Sequence, residues 1–278
     1  MPSAPASLSP SQLEAYRRDG FVGPITLCSP AEMAAVVTRV EEVLRTPGLA
    51  PAPAAAAESG RLGELLQRDG VSPVPYIESR HLDSPVIHQL CTHPVVVGCL
   101  RAVCGPDVIL WRSTLIEKGE GSPEFRWHQD FGGVFGRGTE YGLEPPLHVS
   151  VWLALTAATV DNGCLIFVPG VRAVLPGVPA SPKPNATLLV PPELVDESRA
   201  LPMELAPGQF VLFSDRALHS SGANRSGRRR LALGMRFTAS FVAVRPHFPG
   251  HRVLLVSGSD HGGVNALAPP PAAARGRN

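Results

Sequence analysis

The sequence predicts a mainly β protein whose core is a β-barrel or double-sheet jelly roll, buttressed by N-terminal helices. Three observations carry this. Helix-opening signals are confined to the first third of the chain. Many short β-branched and aromatic runs follow, separated by Gly, Pro and Asn turns. The 30 prolines and 27 glycines imply short elements and many loops, which argues against a helix bundle. The 278 residues are read as one domain. In it, 1–105 form a mainly helical buttress, 106–258 the β core and 259–278 a flexible tail.

The elements follow in order. Residues 1–8 read as a disordered start. Ser9-Pro10-Ser11-Gln12 opens a helix, since Ser9 caps, Pro10 suits the first turn and Gln12 completes a capping box; Gly20 ends it. Ser29-Pro30-Ala31-Glu32 repeats the signal, and Met33, Val36, Val37, Val40, Val43 and Leu44 line one face of a helix reaching about Thr46. The Pro/Ala-rich run 47–57 reads as a surface loop, 61–68 as a third helix, and 84–103 as a fourth that Pro94 kinks or splits. The pattern then turns to strands. These are Val108–Trp111, Ser113–Ile116, Leu147–Leu155, Leu165–Val168, Phe210–Phe213 and Leu231–Val244, with turns at Asp161-Asn162-Gly163 and Pro207-Gly208. The Ala/Pro/Arg-rich tail from about Ala266 reads as disordered.

Composition excludes several classes. A net charge of +1 gives no general attraction to nucleic acid or to an anionic membrane. No apolar run is long enough to span a bilayer. Cys28, Cys91, Cys99, Cys104 and Cys164 form no C-x-x-C pair, and the N-terminus has no signal pattern; both suit a reducing cytoplasm.

The chemistry centres on Phe125-Arg126-Trp127-His128-Gln129-Asp130-Phe131. In an extended backbone His128 and Asp130 point to one face, so an imidazole nitrogen and a carboxylate oxygen converge. A buried aspartate needs a cation or hydrogen bonds, and a metal supplies the cation. His219 lies far downstream, beyond the apolar run Phe210–Phe213. Two histidines and one carboxylate form the facial triad of non-haem Fe(II) oxygenases. An H-x-D pair alone also suits a surface pair, and His219 an ordinary loop. Arg230 follows His219 in the run Arg228-Arg229-Arg230, and its planar guanidinium suits a bidentate grip on a carboxylate. One or two of the three arginines read as a solvated turn.

Here the sequence resembles the phytanoyl-CoA dioxygenase family of Fe(II)/2-oxoglutarate oxygenases. The resemblance rests on His128-Gln129-Asp130; on Val151-Trp152-Leu153-Ala154-Leu155 with Asn162-Gly163-Cys164-Leu165 and Val168-Pro169-Gly170; on Pro207-Gly208; and on His219-Ser220-Ser221 with Asn224, Ser226 and Arg230. It covers about 114–237. The N-terminal half, through Asp19-Gly20-Phe21, Ser79-Arg80-His81-Leu82-Asp83-Ser84-Pro85 and Leu110-Trp111-Arg112-Ser113, is similar to the bacterial branch that contains biosynthetic halogenases and their hydroxylase relatives. One departure is Pro169-Gly170-Val171-Arg172, where the family usually reads Pro-Gly-Ser-His.

The resemblance implies a cupin-like double-stranded β-helix with His128, Asp130 and His219 as iron ligands. It implies Arg230 on the distal carboxylate of 2-oxoglutarate, with further cosubstrate contacts at Ser221, Trp152, Gln129 and Thr114. The implied cofactor set is Fe(II), 2-oxoglutarate and O2. The implied reaction releases succinate and carbon dioxide and hydroxylates a substrate, with desaturation, cyclisation or epimerisation as alternative outcomes. Asp130 stands where the halogenase relatives have a small residue, which implies oxygenation without halide transfer. A cupin-like isomerase, a zinc hydrolase and a non-catalytic binding module are the rival classes. His81, Arg112, Phe135, Arg137, Tyr141 and Arg236 are candidate pocket residues. The Ala/Arg/Pro content and the halogenase-branch similarity point to a GC-rich bacterial source and to natural-product (antibiotic) biosynthesis. The favoured substrate is a free small molecule, and the alternative is a group tethered to a carrier protein.

Overall fold

The computed structural model describes residues 7–46, 76–130, 142–179, 188–245 and 251–272. Two antiparallel sheets form a jelly roll. The larger has the strand order β1 (Phe21–Thr26), β11 (Gln209–Ser214), β6 (Val149–Ala154), β13 (Arg230–Ala239), β3 (Val108–Lys118), β15 (Leu254–Ser257), with β2 (Tyr76–Glu78) also pairing with β3. The smaller runs β10 (Leu201–Met203), β7 (Leu165–Val168), β12 (Leu218–Ser221), β4 (Phe125–His128), β9 (Leu188–Leu189), β8 (Val178–Pro179). A short ribbon pairs β5 (Leu143–Glu144) with β14 (Ala243–Val244).

The helices form as their signals predict. Ser9 and Ser29 each complete a capping box, with Gln12 and Glu32, on α1 (Pro10–Asp19) and α2 (Pro30–Arg45). Gly20 ends α1 in the left-handed region at φ 86°. Pro94 splits the expected fourth helix into α3 (Pro85–Cys91) and α4 (Pro94–Cys104), because its ring cannot continue α3. No single helix among the described residues is long and apolar enough to cross a membrane.

Strand alternation separates two environments. On β13, Leu231, Leu233, Met235 and Phe237 pack against Met33, Val40, Ile87, Val96 and Leu100 of the helices. That burial covers the outer face of the larger sheet and stabilises by roughly 25 cal/mol per Å² of apolar surface removed from water. The opposite face of β13 carries Arg230, Ala232, Gly234 and Arg236 into the space between the sheets. There Ala232, Trp152, Val211 and Phe213 meet Leu165, Phe167 and Met203 of the smaller sheet.

Several details differ from the sequence expectation. Val108–Lys118 is one strand, with a bulge that leaves Trp111 out of register between Arg236↔Arg112 and Phe237↔Leu110. The helical third also supplies β1 and β2 to the larger sheet. Leu8, expected in a disordered start, is buried, and Ser7 bonds to Gly98 O. The tail is held at Leu267 and Ala268: Ala268 N donates to Val253 O at 2.8 Å, and Leu267 packs with Trp111 and Val253. Loop 47–57, helix 61–68, Phe135, Arg137 and Tyr141 lie outside the described residues.

Gly163 sits at φ 81°, and a Cβ there would overlap the carbonyl of Gly222. Gly121 has a similar φ of 73° and open space around it. Gly163→Ala is therefore expected to destabilise by about 1–3 kcal/mol and by clearly more than Gly121→Ala. Urea unfolding midpoints of the two variants check this; equal losses would mean that the close approach to Gly222 does not matter.

Candidate active site

The antiparallel pairing of β12 with β4 sets His219 opposite His128. Their rings lie 4.1 Å apart between centroids. The strand ends at His128, and Asp130 follows in a bend. The two histidines and Asp130 are all buried, and a ligand atom from each lies within 4.8 Å of the others. Two donors from the larger sheet reach across to Asp130. Ser150 Oγ donates to Oδ2 at 2.9 Å and Arg236 Nη2 to Oδ1 at 3.0 Å. His148 Nε2 stands 3.8 Å from Oδ2, too far for a hydrogen bond.

The backbone fixes both imidazoles. His128 Nδ1 lies 2.8 Å from Arg126 O, and His219 Nδ1 2.9 Å from Ala217 O. A carbonyl only accepts, so each Nδ1 carries the proton and each Nε2 presents its lone pair. Burial, followed by the opposing charge of His219, pushes His128 down to about 3. Burial likewise lowers His219. Both rings are therefore neutral at neutral pH, the form that ligates a metal. Burial alone would raise the Asp130 carboxyl, but Arg236 and the nearby His148 and His219 hold it well below its usual range. Two imidazole nitrogens and one carboxylate form a mixed N/O donor set that fits a first-row divalent metal. Phe125, Phe167 and Phe213 pack against the two rings and exclude water from this side.

A second group of polar side chains lies further along the same strands. Ser221 follows His219 by two residues on β12 and so shares its face. Lys118 Nζ donates to Ser221 Oγ at 2.9 Å, to Ser221 O at 3.3 Å and to Gly222 O. Lys118 is the register partner of Arg230, and each is 2% exposed. Arg230 lies over the Trp152 ring, 5.0 Å from its centroid, and donates from Nη1 to Gly163 O. Burial and then the Arg230 charge bring Lys118 down to about 7. Two adjacent buried cations repel each other, and here their hydrogen bonds to Ser221, Gly222 and Gly163 offset part of that cost. Gly234 pairs with Thr114 on one side and Trp152 on the other, and Ile116 Cδ1 packs 3.3 Å from where its Cβ would stand.

The structure thus brings His128, Asp130 and His219 together, and groups Arg230, Ser221, Trp152 and Thr114 on the adjoining inward faces. Gln129 is engaged elsewhere. Its amide donates to Ala173 O at 2.9 Å and Arg216 O at 2.6 Å, and accepts from Leu175 N at 2.8 Å. Its side chain ties down the loop after Pro169-Gly170. Arg172, at the departure from the family pattern, bonds back to Arg17 O. Of the arginine run, Arg228 is exposed and Arg229 pairs with Glu41 and Glu117, which leaves Arg230 inside. Asn224 donates to Lys118 O and Arg228 O, so it pins the β12–β13 loop to β3. Of the other pocket candidates, Arg236 and Arg112 are register partners on the inner wall, and Arg112 pairs with Glu78. His81 bonds to Ser113 on the helix side.

Sequence reasoning missed Lys118, Ser150 and the contact between Arg236 and Asp130. One signal was present: Lys118 ends an 11-residue strand that is otherwise almost wholly buried.

Comparisons with known proteins agree on one family. Residues 16–232 match the family model described as phytanoyl-CoA dioxygenase. An ectoine dioxygenase of Bordetella bronchiseptica is 30% identical over 165 residues. That match covers 59% of this chain and 49% of the relative, so the chain spans about half the length of the relative. Among solved structures, CytC3 with Fe(II) and alpha-ketoglutarate superposes with a TM-score of 0.71 at 23% identity, covering 95% of this chain and 94% of that one. The epimerase SnoN in complex with Fe3+, alpha-ketoglutarate and nogalamycin RO superposes at 0.65 and 20% identity, covering 92% and 94%. At such identities the structures share the fold.

Lys118→Met is expected to weaken 2-oxoglutarate binding to the Mn(II)-loaded protein about 30-fold or more, the cost of about 2 kcal/mol or more for truncating a buried charged contact. Lys118 is charged below its lowered value of about 7. Wild-type affinity for the dianion should therefore fall as pH rises through neutrality, and the variant should lose this dependence. Calorimetry across that range checks both. An unchanged affinity in the variant would remove Lys118 from the pocket.

Proposed function

The chain belongs to the phytanoyl-CoA dioxygenase family, and from that premise we propose that it is an Fe(II)- and 2-oxoglutarate-dependent oxygenase. The proposed reaction hydroxylates a small diffusible molecule and releases succinate and carbon dioxide. One observation carries the reading. Two buried imidazoles with bonded Nδ1 atoms and a buried carboxylate share an interior with a pair of buried cations, Lys118 and Arg230.

In this reading His128 and His219 hold the metal through Nε2, and Asp130 through its carboxylate. When bound, Fe(II) supplies the one-electron chemistry that couples oxidative decarboxylation of 2-oxoglutarate by O2 to oxidation of a C–H bond. The protein's part is positioning. Arg230 and Lys118 bind the distal carboxylate of the cosubstrate, and Ser221, bonded to Lys118, orients the ammonium. Trp152 and Thr114, the register partners of Gly234, line the same inward face. The cation pair supports this cosubstrate over the needs of a cupin-like isomerase or a zinc hydrolase, which require no dicarboxylate.

The outcome of the oxidation depends on where the substrate's C–H bond is held. The likeness to an epimerase makes stereochemical inversion, and with it cyclisation or desaturation, the second reading for the same ligand set. Asp130 occupies the ligand position that is small in the halogenase relatives, so chloride would have to displace a tethered anion; we propose oxygenation without halide transfer. The substrate is proposed to be a free metabolite of specialised biosynthesis, in preference to one tethered to a carrier protein.

Anaerobic protein given Fe(II), 2-oxoglutarate and then O2 should form succinate, and His128→Ala or His219→Ala should abolish this while the melting curve survives. Succinate formation without added 2-oxoglutarate, or near wild-type turnover in either variant, would sink the assignment.

Arg230→Ala should raise the KM for 2-oxoglutarate sharply, since truncating a buried charge-assisted contact costs several kcal/mol. Arg228→Ala should change it by no more than an exposed pair, about 0–1 kcal/mol. Equal effects would mean that the wrong arginine has been chosen.

A further inference from the structure

The inward face of β13 carries an arginine at each end. Arg230 serves the cosubstrate pocket, and Arg236, six residues on, reaches Asp130. The Asp130 carboxylate is 2% exposed and accepts from Arg236 on one oxygen and from Ser150 on the other. Ser150 and Arg236 are register partners across β6 and β13, so the two donors come from one rung of the sheet. Arg112, the register partner of Arg236 on β3, has its charge opposed by Glu78. The charge of Arg236 falls on Asp130.

We propose that Arg236 is a positioning residue that acts through Asp130 to keep bound iron in the Fe(II) state. The proposal rests on the reading of Asp130 as a ligand. Fe(III) carries one more positive charge than Fe(II) and gains more from a negative ligand. A guanidinium 3.0 Å from the carboxylate, in a desolvated site, offsets part of that negative charge. The higher oxidation state loses the larger share of its stabilisation, so the Fe(III)/Fe(II) potential rises. The unproductive reaction that this opposes is the loss of one electron from Fe(II) to O2, giving Fe(III) and superoxide. Ser150 fixes the plane of the carboxylate but brings no net charge, so its influence on the potential is smaller.

The test compares wild type with Arg236→Gln, Arg236→Lys and Ser150→Ala, each loaded anaerobically with Fe(II) and 2-oxoglutarate. Spectroelectrochemistry reads the potential. The growth of the Fe(III) paramagnetic signal in air, without a second substrate, reads the oxidation rate. Arg236→Gln should lower the potential and speed oxidation about tenfold, the scale at which outer-shell partners tune metal sites. Arg236→Lys should stay close to wild type, and Ser150→Ala should shift less than Arg236→Gln. Arg236→Met replaces the glutamine variant if that one does not fold. A wild-type potential in the neutral variant, or a lysine variant as shifted as the glutamine one, overturns the proposal. So does loss of the fold in both neutral variants, which would make Arg236 structural. Wild-type protein that binds no Fe(II) would instead sink the ligand reading itself.

Discussion

A charge buried between two β-sheets must be answered by another charge or by hydrogen bonds, and that constraint arranges the interior of this protein. Asp130 is answered by Arg236 and Ser150 from the opposite sheet. The histidines avoid the problem by staying neutral, each with its Nδ1 proton on the carbonyl two residues earlier. Lys118 and Arg230 are answered by hydrogen bonds, to Ser221 and Gly222 and to Gly163 O. They sit side by side, and the lysine answers with a lowered proton affinity.

The order of these groups follows from strand geometry. On β13 the period of two carries Arg230, Ala232, Gly234 and Arg236 inward, while Leu231, Leu233, Met235 and Phe237 pack on the helices. A one-residue slip would bury the apolar set against the site and expose both arginines to the helical layer. The helices thus hold the register by covering the outer face. Gly234 lies midway along this face between Arg230, beside Lys118, and Arg236, beside Asp130.

Much of this was legible in the sequence. Capping boxes at Ser9 and Ser29, the break at Pro94 and the alternating strands depend on local chemistry, and they stand where the residues put them. The aromatic and apolar neighbours of His128, Asp130 and His219 marked them in the sequence, but as a ligand set they were read from the family resemblance, since an H-x-D pair and a distant histidine also suit a surface pair and a loop. The contacts between strands were not. Lys118 meets Arg230, and Ser150 meets Arg236, only once the pairings β3–β13 and β6–β13 exist. Single-sequence patterns carry no register between strands so distant in the chain. The short strands β4 and β12 also escaped prediction as strands, because Arg126 and His128, and His219, Ser220 and Ser221, break the apolar pattern. Gln129 lies between His128 and Asp130 in sequence, yet its amide faces a loop more than 40 residues away.

Residues that hold a metal and a cosubstrate are common to a family, while the outcome on the substrate depends on how its C–H bond is presented. The central claim is therefore about one interior that holds both partners at once. Crystals soaked anaerobically with Fe(II) and 2-oxoglutarate, measured at the iron absorption edge, test it most directly. The predicted result is a single anomalous peak within bonding distance of His128, Asp130 and His219, with the distal carboxylate of 2-oxoglutarate against Arg230 and Lys118. A peak elsewhere, or a cosubstrate turned away from the two cations, would contradict it.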